Sequence, residues 1–128
     1  MTDAAHSLIL FAHGARDAAW AAPFERLRDL AQQAMPDVGV RLAFLELMTP
    51  DLATAAAEEI ARGATHLTVV PVFLGQGGHV RRDLPRLIEA LRAAHAQVRI
   101  DAVPAAGEDA GVLQAIAVYC VRAVRGPD

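Results

Sequence analysis

Four short apolar runs, each followed by a segment of helical period, constrain the fold of this chain more than any other feature. Ser7 to Ala12 is continuously apolar and too short for a helix, which suits a core strand. From Asp17 the period changes. Trp20, Phe24, Leu27, Ala31 and Met35 recur at three- and four-residue steps with charged residues between them, so a helix is predicted, N-capped by Asp17 and ended by Pro36. Val38 to Leu47 returns to alternation and puts Val38, Val40, Leu42, Phe44 and Glu46 on one side of a second strand. Thr49 is the predicted cap and Pro50 the first residue of the next helix, which runs to Arg62 and stops at Gly63. Thr65 to Leu74 is a third strand. Val80, Leu84, Leu87, Ile88 and Leu91 then mark a helix closing near His95, in which Pro85 is tolerable in the first turn and bends the helix if later. Gln97 to Val103 is a fourth strand and Pro104 to Gly107 a loop. Leu113, Ile116, Cys120 and Val124 share one side of a final helix.

Strands separated by helices imply right-handed crossovers. The fold class expected is therefore α/β, a three-layer sandwich with a mainly parallel four-stranded sheet, helices on both faces and flavodoxin-like winding. The 128 residues suit a single domain over residues 1–128. A net charge of −3 argues against general nucleic-acid binding. Cys120 is the single cysteine, so no internal disulfide forms and a cytoplasmic location is the simplest expectation. Met-Thr-Asp-Ala-Ala-His at the start is not a cationic leader, and no run approaches the roughly 18 apolar residues of a membrane span.

In sheets of this kind ligands bind beyond the carboxyl ends of the strands, where the strand order reverses. The sequence places His13, Glu46 and His79 at the ends of the first three strands. Two imidazoles and a carboxylate suit a divalent ion such as iron, cobalt, nickel or zinc and leave coordination positions open. His6 and His66 fall at the opposite edge, and His95 near a helix end, so these three read as surface residues. Arg16, Arg81 and Arg82 flank the two histidine turns, where a ligand anion accounts for arginines at helix starts better than the helix dipole does. Gly75-Gln76-Gly77-Gly78-His79-Val80 lacks the third glycine of a dinucleotide fingerprint, and no Lys-Ser/Thr follows, so nucleotide binding is not expected.

Three stretches carry a family resemblance. They are Ala12-His13-Gly14-Ala15-Arg16-Asp17, Phe44-Leu45-Glu46-Leu47 with Pro50, and Pro71-Val72-Phe73-Leu74 followed by Gly77-Gly78-His79-Val80-Arg81-Arg82-Asp83-Leu84-Pro85. Together they resemble the short CbiX-type sirohydrochlorin chelatases over roughly two-thirds of the chain. Ala15 departs from the pattern, which often has serine there, and no histidine-rich tail is present.

The resemblance implies a chelatase-like domain that inserts cobalt or ferrous iron, with nickel a further candidate metal, into sirohydrochlorin on the way to cobalamin or sirohaem. It implies no permanently bound cofactor, the metal being a substrate, and pairing as a homodimer. His13 and His79 match the family's metal-handling histidines, and Glu46 its associated carboxylate. Arg16, Gln76, Gly77, Gly78, Arg81 and Arg82 are then the candidates for holding the tetrapyrrole and its carboxylates.

Two other readings compete. A strand ending in His-Gly also resembles the mannose-type sugar phosphotransferase domain, in which His13 would carry a phosphoryl group. A non-enzymatic metal or tetrapyrrole chaperone would bind both ligands without turnover.

Overall fold

The computed structural model describes residues 5–75 and 77–126, with the His79 side chain outside that description. The order is β1 (His6–Ala12), a 3-10 turn (Ala18–Ala21), α1 (Ala22–Ala34), β2 (Gly39–Phe44), α2 (Leu52–Ala61) and β3 (His66–Pro71). Then follow α3 (Gly78–Ala94), β4 (Arg99–Ala102), a second 3-10 turn (Ala106–Glu108) and α4 (Ala110–Arg125). The strands form one sheet in the order β2-β1-β3-β4, every neighbouring pair parallel. The chain winds outward from β1 in both directions, so the reversal of order lies between β1 and β3.

Register explains the layers. Leu8, Leu10 and Ala12 pair with Val40, Leu42 and Phe44, and this face packs against α1 through Phe24 and Ala31. Ile9, Phe11, Leu67, Val69 and Ile100 point the other way, into a core closed by α2 and α3. Glu59 of α2 is buried beneath that side, where it accepts from Ser7 Oγ at 2.8 Å and from Arg41 and Arg62. Those donors offset the desolvation of a buried carboxylate.

Several local expectations shift. Asp17 caps the 3-10 turn through Ala19 N–H at 2.9 Å, and α1 proper starts only at Ala22, beside Pro23. The second helix is capped not by Thr49 but by Asp51, whose Oδ1 accepts from Thr54 N–H at 2.8 Å. Pro50 follows a cis peptide bond and lies outside the helix, because a longer turn separates β2 from α2. The strands are shorter than their apolar runs: β2 stops at Phe44, β3 at Pro71 and β4 at Ala102. Pro85 stands well inside α3, so the Arg81 carbonyl has no i+4 donor. Gly63 does take the left-handed conformation after α2, at φ 107°. Among the described residues, no helix is long and apolar enough to cross a membrane.

Candidate active site

Three turns meet at the carboxyl rim of the sheet. After β1 the chain continues in register past Ala12: Leu45 N–H donates to the Ala12 carbonyl and Glu46 N–H to the His13 carbonyl at 3.1 Å. Gly14 turns there at φ 99°, and a Cβ on it would stand 1.9 Å from the Glu46 carbonyl oxygen. Only glycine lets the two backbones approach this closely. The turn after β2 is equally constrained, since Leu47 adopts φ 66° and Met48 N–H returns to the Glu46 carbonyl.

This backbone clamp sets the chemistry. His13 Nε2 lies 3.2 Å from Glu46 Oε2, and the two side chains are 43% and 47% exposed. Phe73, in the turn after β3, stands edge-on to the His13 ring with centroids 6.4 Å apart. The imidazole is thus oriented by a ring on one side and a carboxylate on the other, while much of it faces solvent. A carboxylate beside an imidazole fixes its tautomer and its ring orientation.

On the Glu46 side of the pair, between β2 and the start of α2, opens a cleft of about 590 Å³, lined by Glu46, Met48, Thr49, Asp51, Glu58 and Arg41 among others but not by His13. The Thr54 backbone N–H holds the Asp51 carboxyl below the usual carboxylate range. Burial disfavours the Arg41 charge, but hydrogen bonds and charges from Glu58 and Glu59 outweigh it and raise its pKa.

The predicted site residues divide into three groups. His13 and Glu46 are brought together. The backbone of His79 lies in the first turn of α3, which follows the carboxyl end of β3; its side chain and all of Gln76 lie outside the described residues. Gly77 is the α3 N-cap and Gly78 its first residue; a Cβ on Gly77 would meet nothing within 4 Å among the described residues. Arg16, Arg81 and Arg82 are exposed. Arg81, however, lines a groove between α3 and β4 with Leu84, Ile88 and Ala102, away from the cleft beside Glu46. Among the described residues no group of three His, Cys, Asp or Glu side chains converges as a complete metal site.

Sequence reasoning missed Phe73 and the strained Leu47. Phe73 reads as one more residue of an apolar strand, and no local signal marks a leucine for positive φ. The tight Gly14 approach was findable only as a glycine following a strand-end histidine.

The His13–Glu46 pair stands on the carboxyl rim of a parallel α/β sheet, the rim beyond which ligands bind in open sheets of this class. The chain belongs to the CbiX family, whose model matches residues 7–120. It is 33% identical over 75 residues to the sirohydrochlorin ferrochelatase of Bacillus subtilis (strain 168), covering 59% of this chain and 29% of that one. It is 30% identical over 89 residues to the sirohydrochlorin cobaltochelatase of Methanocaldococcus jannaschii, covering 70% and 62%. These matches therefore span less than two thirds of the curated relatives' length. Among solved structures, the CbiX protein of Marinobacter aquaeolei VT8 superposes with a TM-score of 0.83 at 33% identity, covering 94% of this chain and 98% of that chain. SirB from Bacillus subtilis with Fe3+ gives 0.78 at 25% identity, covering 95% and 48%.

Proposed function

We propose that this chain inserts a divalent metal, cobalt or ferrous iron, into sirohydrochlorin. The observation that carries the reading is the His13–Glu46 pair, oriented yet half-open, at the carboxyl ends of β1 and β2 in a CbiX-family fold. Relatives named sirohydrochlorin ferrochelatase and cobaltochelatase, and a solved SirB in complex with cobalt, support both metals.

Insertion exchanges two pyrrole N–H protons for the ion, so the site must strip water from the metal and accept protons. The His13 imidazole can do either task, as a metal ligand or as a proton acceptor. Glu46 fixes which ring nitrogen is free and passes the proton outward through its exposed oxygen. His79, from the first turn of α3, is the second metal-handling imidazole. Arg16 and Arg82 pair with the acetate and propionate groups of the ring, and Gln76, Gly77 and Gly78 supply close backbone approach. The macrocycle is broad and flat while one rim is open, so two copies pair to wall it in. The protein acts in the cytoplasm, and its product serves cobalamin or sirohaem synthesis.

Anaerobic mixing of the protein with sirohydrochlorin and Co2+ or Fe2+, followed by absorbance, tests this. Insertion well above the protein-free rate is expected. Tight binding of both partners with no acceleration identifies a chaperone instead. A stable label on His13 from a phosphohistidine donor identifies a phosphoryl carrier.

A further inference from the structure

The two faces of the sheet are not closed alike. On the face covered by α2 and α3, Ile9, Leu67 and Val69 are fully buried. On the other, α1 covers β2 and part of β1, but Leu8, Thr68 and Val70 are only half-buried and Val103 is 40% exposed. β3 accordingly alternates between half-buried and buried along its length. All-parallel sheets are normally covered on both faces.

The helix that ought to supply the cover is α4. It is apolar almost all round, with Gln114, Arg122 and Arg125 its only strongly polar side chains, yet it has no buried residue. Leu113, Ile116, Val121 and Val124 are 48%, 40%, 52% and 84% exposed. A helix of that composition belongs in an interior. Its own sheet is out of reach because its base is locked. Gly107 N–H donates to the Phe73 carbonyl at 2.8 Å, and a Cβ on Gly107 would stand 1.9 Å from the Leu74 carbonyl oxygen. Asp109 then caps the helix through Val112 N–H. Between this base and the sheet, an apolar wedge of about 300 Å³ stays open, lined by Val70, Val103 and Val112 among others.

We infer that α4 of one copy lies across the bare β1–β3–β4 face of a second copy, and reciprocally. Among the described residues one chain carries both the uncovered helix and the uncovered strip, which is the self-complementarity a two-fold dimer requires. The dimensions agree. Three adjacent strands make a strip about 10 Å wide and about 20 Å long. A helix of this length is about 24 Å long and about 10 Å across. Laying half its surface on the strip removes roughly 400 Å² from each side, and two such contacts bury roughly 1,600 Å² in total, the size of a stable specific interface. This inference rests on the pairing in the proposed function and specifies its surface.

Cys120 on α4 is the single cysteine and is exposed, so it takes a maleimide–benzophenone photocross-linker without further substitution. Full-length chains, half of them 15N-labelled, are mixed, re-equilibrated, irradiated and digested, and the mass in solution is measured alongside. A mass of twice 13.6 kDa is expected, with mixed-label peptides joining Cys120 to the segments holding Leu8, Thr68 or Val70. Ile116→Asp and Val103→Asp, both at exposed positions, are each expected to weaken the dimer about tenfold or more while circular dichroism stays unchanged. A dimer without mixed-label links to that face, or equally tight in both variants, overturns the α4 surface but leaves pairing and metal insertion standing. A monomer at tens of micromolar overturns the pairing as well. Metal insertion is read separately, so neither result is confused with loss of activity.

Discussion

The sheet carries a histidine–carboxylate pair at each rim, and the contrast between them separates a candidate site from a structural pair. At the amino rim His66 Nε2 lies 2.9 Å from Asp101 Oδ2, closer than His13 lies to Glu46. The His66 ring is stacked on His6 with centroids 3.9 Å apart and planes within 7°. His6 in turn reaches Thr68 Oγ1 at 2.7 Å, and Arg99 Nε takes the same Asp101 oxygen at 2.9 Å. Every group there is committed to another protein group. At the carboxyl rim no arginine competes for Glu46 among the described residues, the His13 ring meets only the edge of Phe73, and a cleft opens alongside. Proximity of imidazole to carboxylate is common to both rims; spare coordination capacity is not.

Breaking the clamp behind His13 is expected to have the largest effect. In Gly14→Ala the new methyl meets the Glu46 carbonyl in a backbone conformation that alanine disfavours, costing about 2–4 kcal/mol in urea unfolding along with most metal insertion. Glu46→Gln keeps the shape but removes the charge, and steady-state rates are expected to fall about 10- to 100-fold with stability little changed. Phe73→Leu leaves the core filled while freeing the ring, and a fall of about 3- to 10-fold is expected, read as kcat rather than KM.

The smallest effect belongs to the other rim and is a pH effect. The hydrogen bond from His66, with the Arg99 charge, holds the Asp101 carboxyl below its usual range. A depressed folded pKa stabilises above the unfolded value of about 3.9 and is lost as pH falls through the folded one. Thermal scans between pH 6 and pH 3 are expected to show a slightly shallower acid-side loss in Asp101→Asn than in the parent, with no change in metal insertion at neutral pH.

Much of this was legible in the chain. Apolar runs, alternation, helical spacing and cap residues located the four strands and four α-helices, and the βα order alone implied a parallel sheet with a carboxyl-rim site. His13 and Glu46 were assigned to one rim because each ends an apolar run, and their side chains do meet. What escaped depends on contacts between distant segments. Phe73 looks like a core residue until the β3 turn is folded over β1, and Asp51 outcompetes Thr49 as a cap because the longer β2–α2 turn defers the helix. Arg81 sits at the right place in sequence, yet its helix phase turns it toward β4. The stripe of Leu113, Ile116, Cys120 and Val124 gave the helix correctly but could not say whether its own sheet buries it.

The most direct test sets the two histidines against each other. Initial rates of anaerobic cobalt insertion into sirohydrochlorin are compared for His13→Ala and His66→Ala, each at a temperature where it is fully folded. Metal insertion at the His13 rim predicts a loss of about 10²-fold or more in His13→Ala and a rate within about twofold of the parent in His66→Ala. Equal rates in the two variants, or a greater loss in His66→Ala, would contradict it.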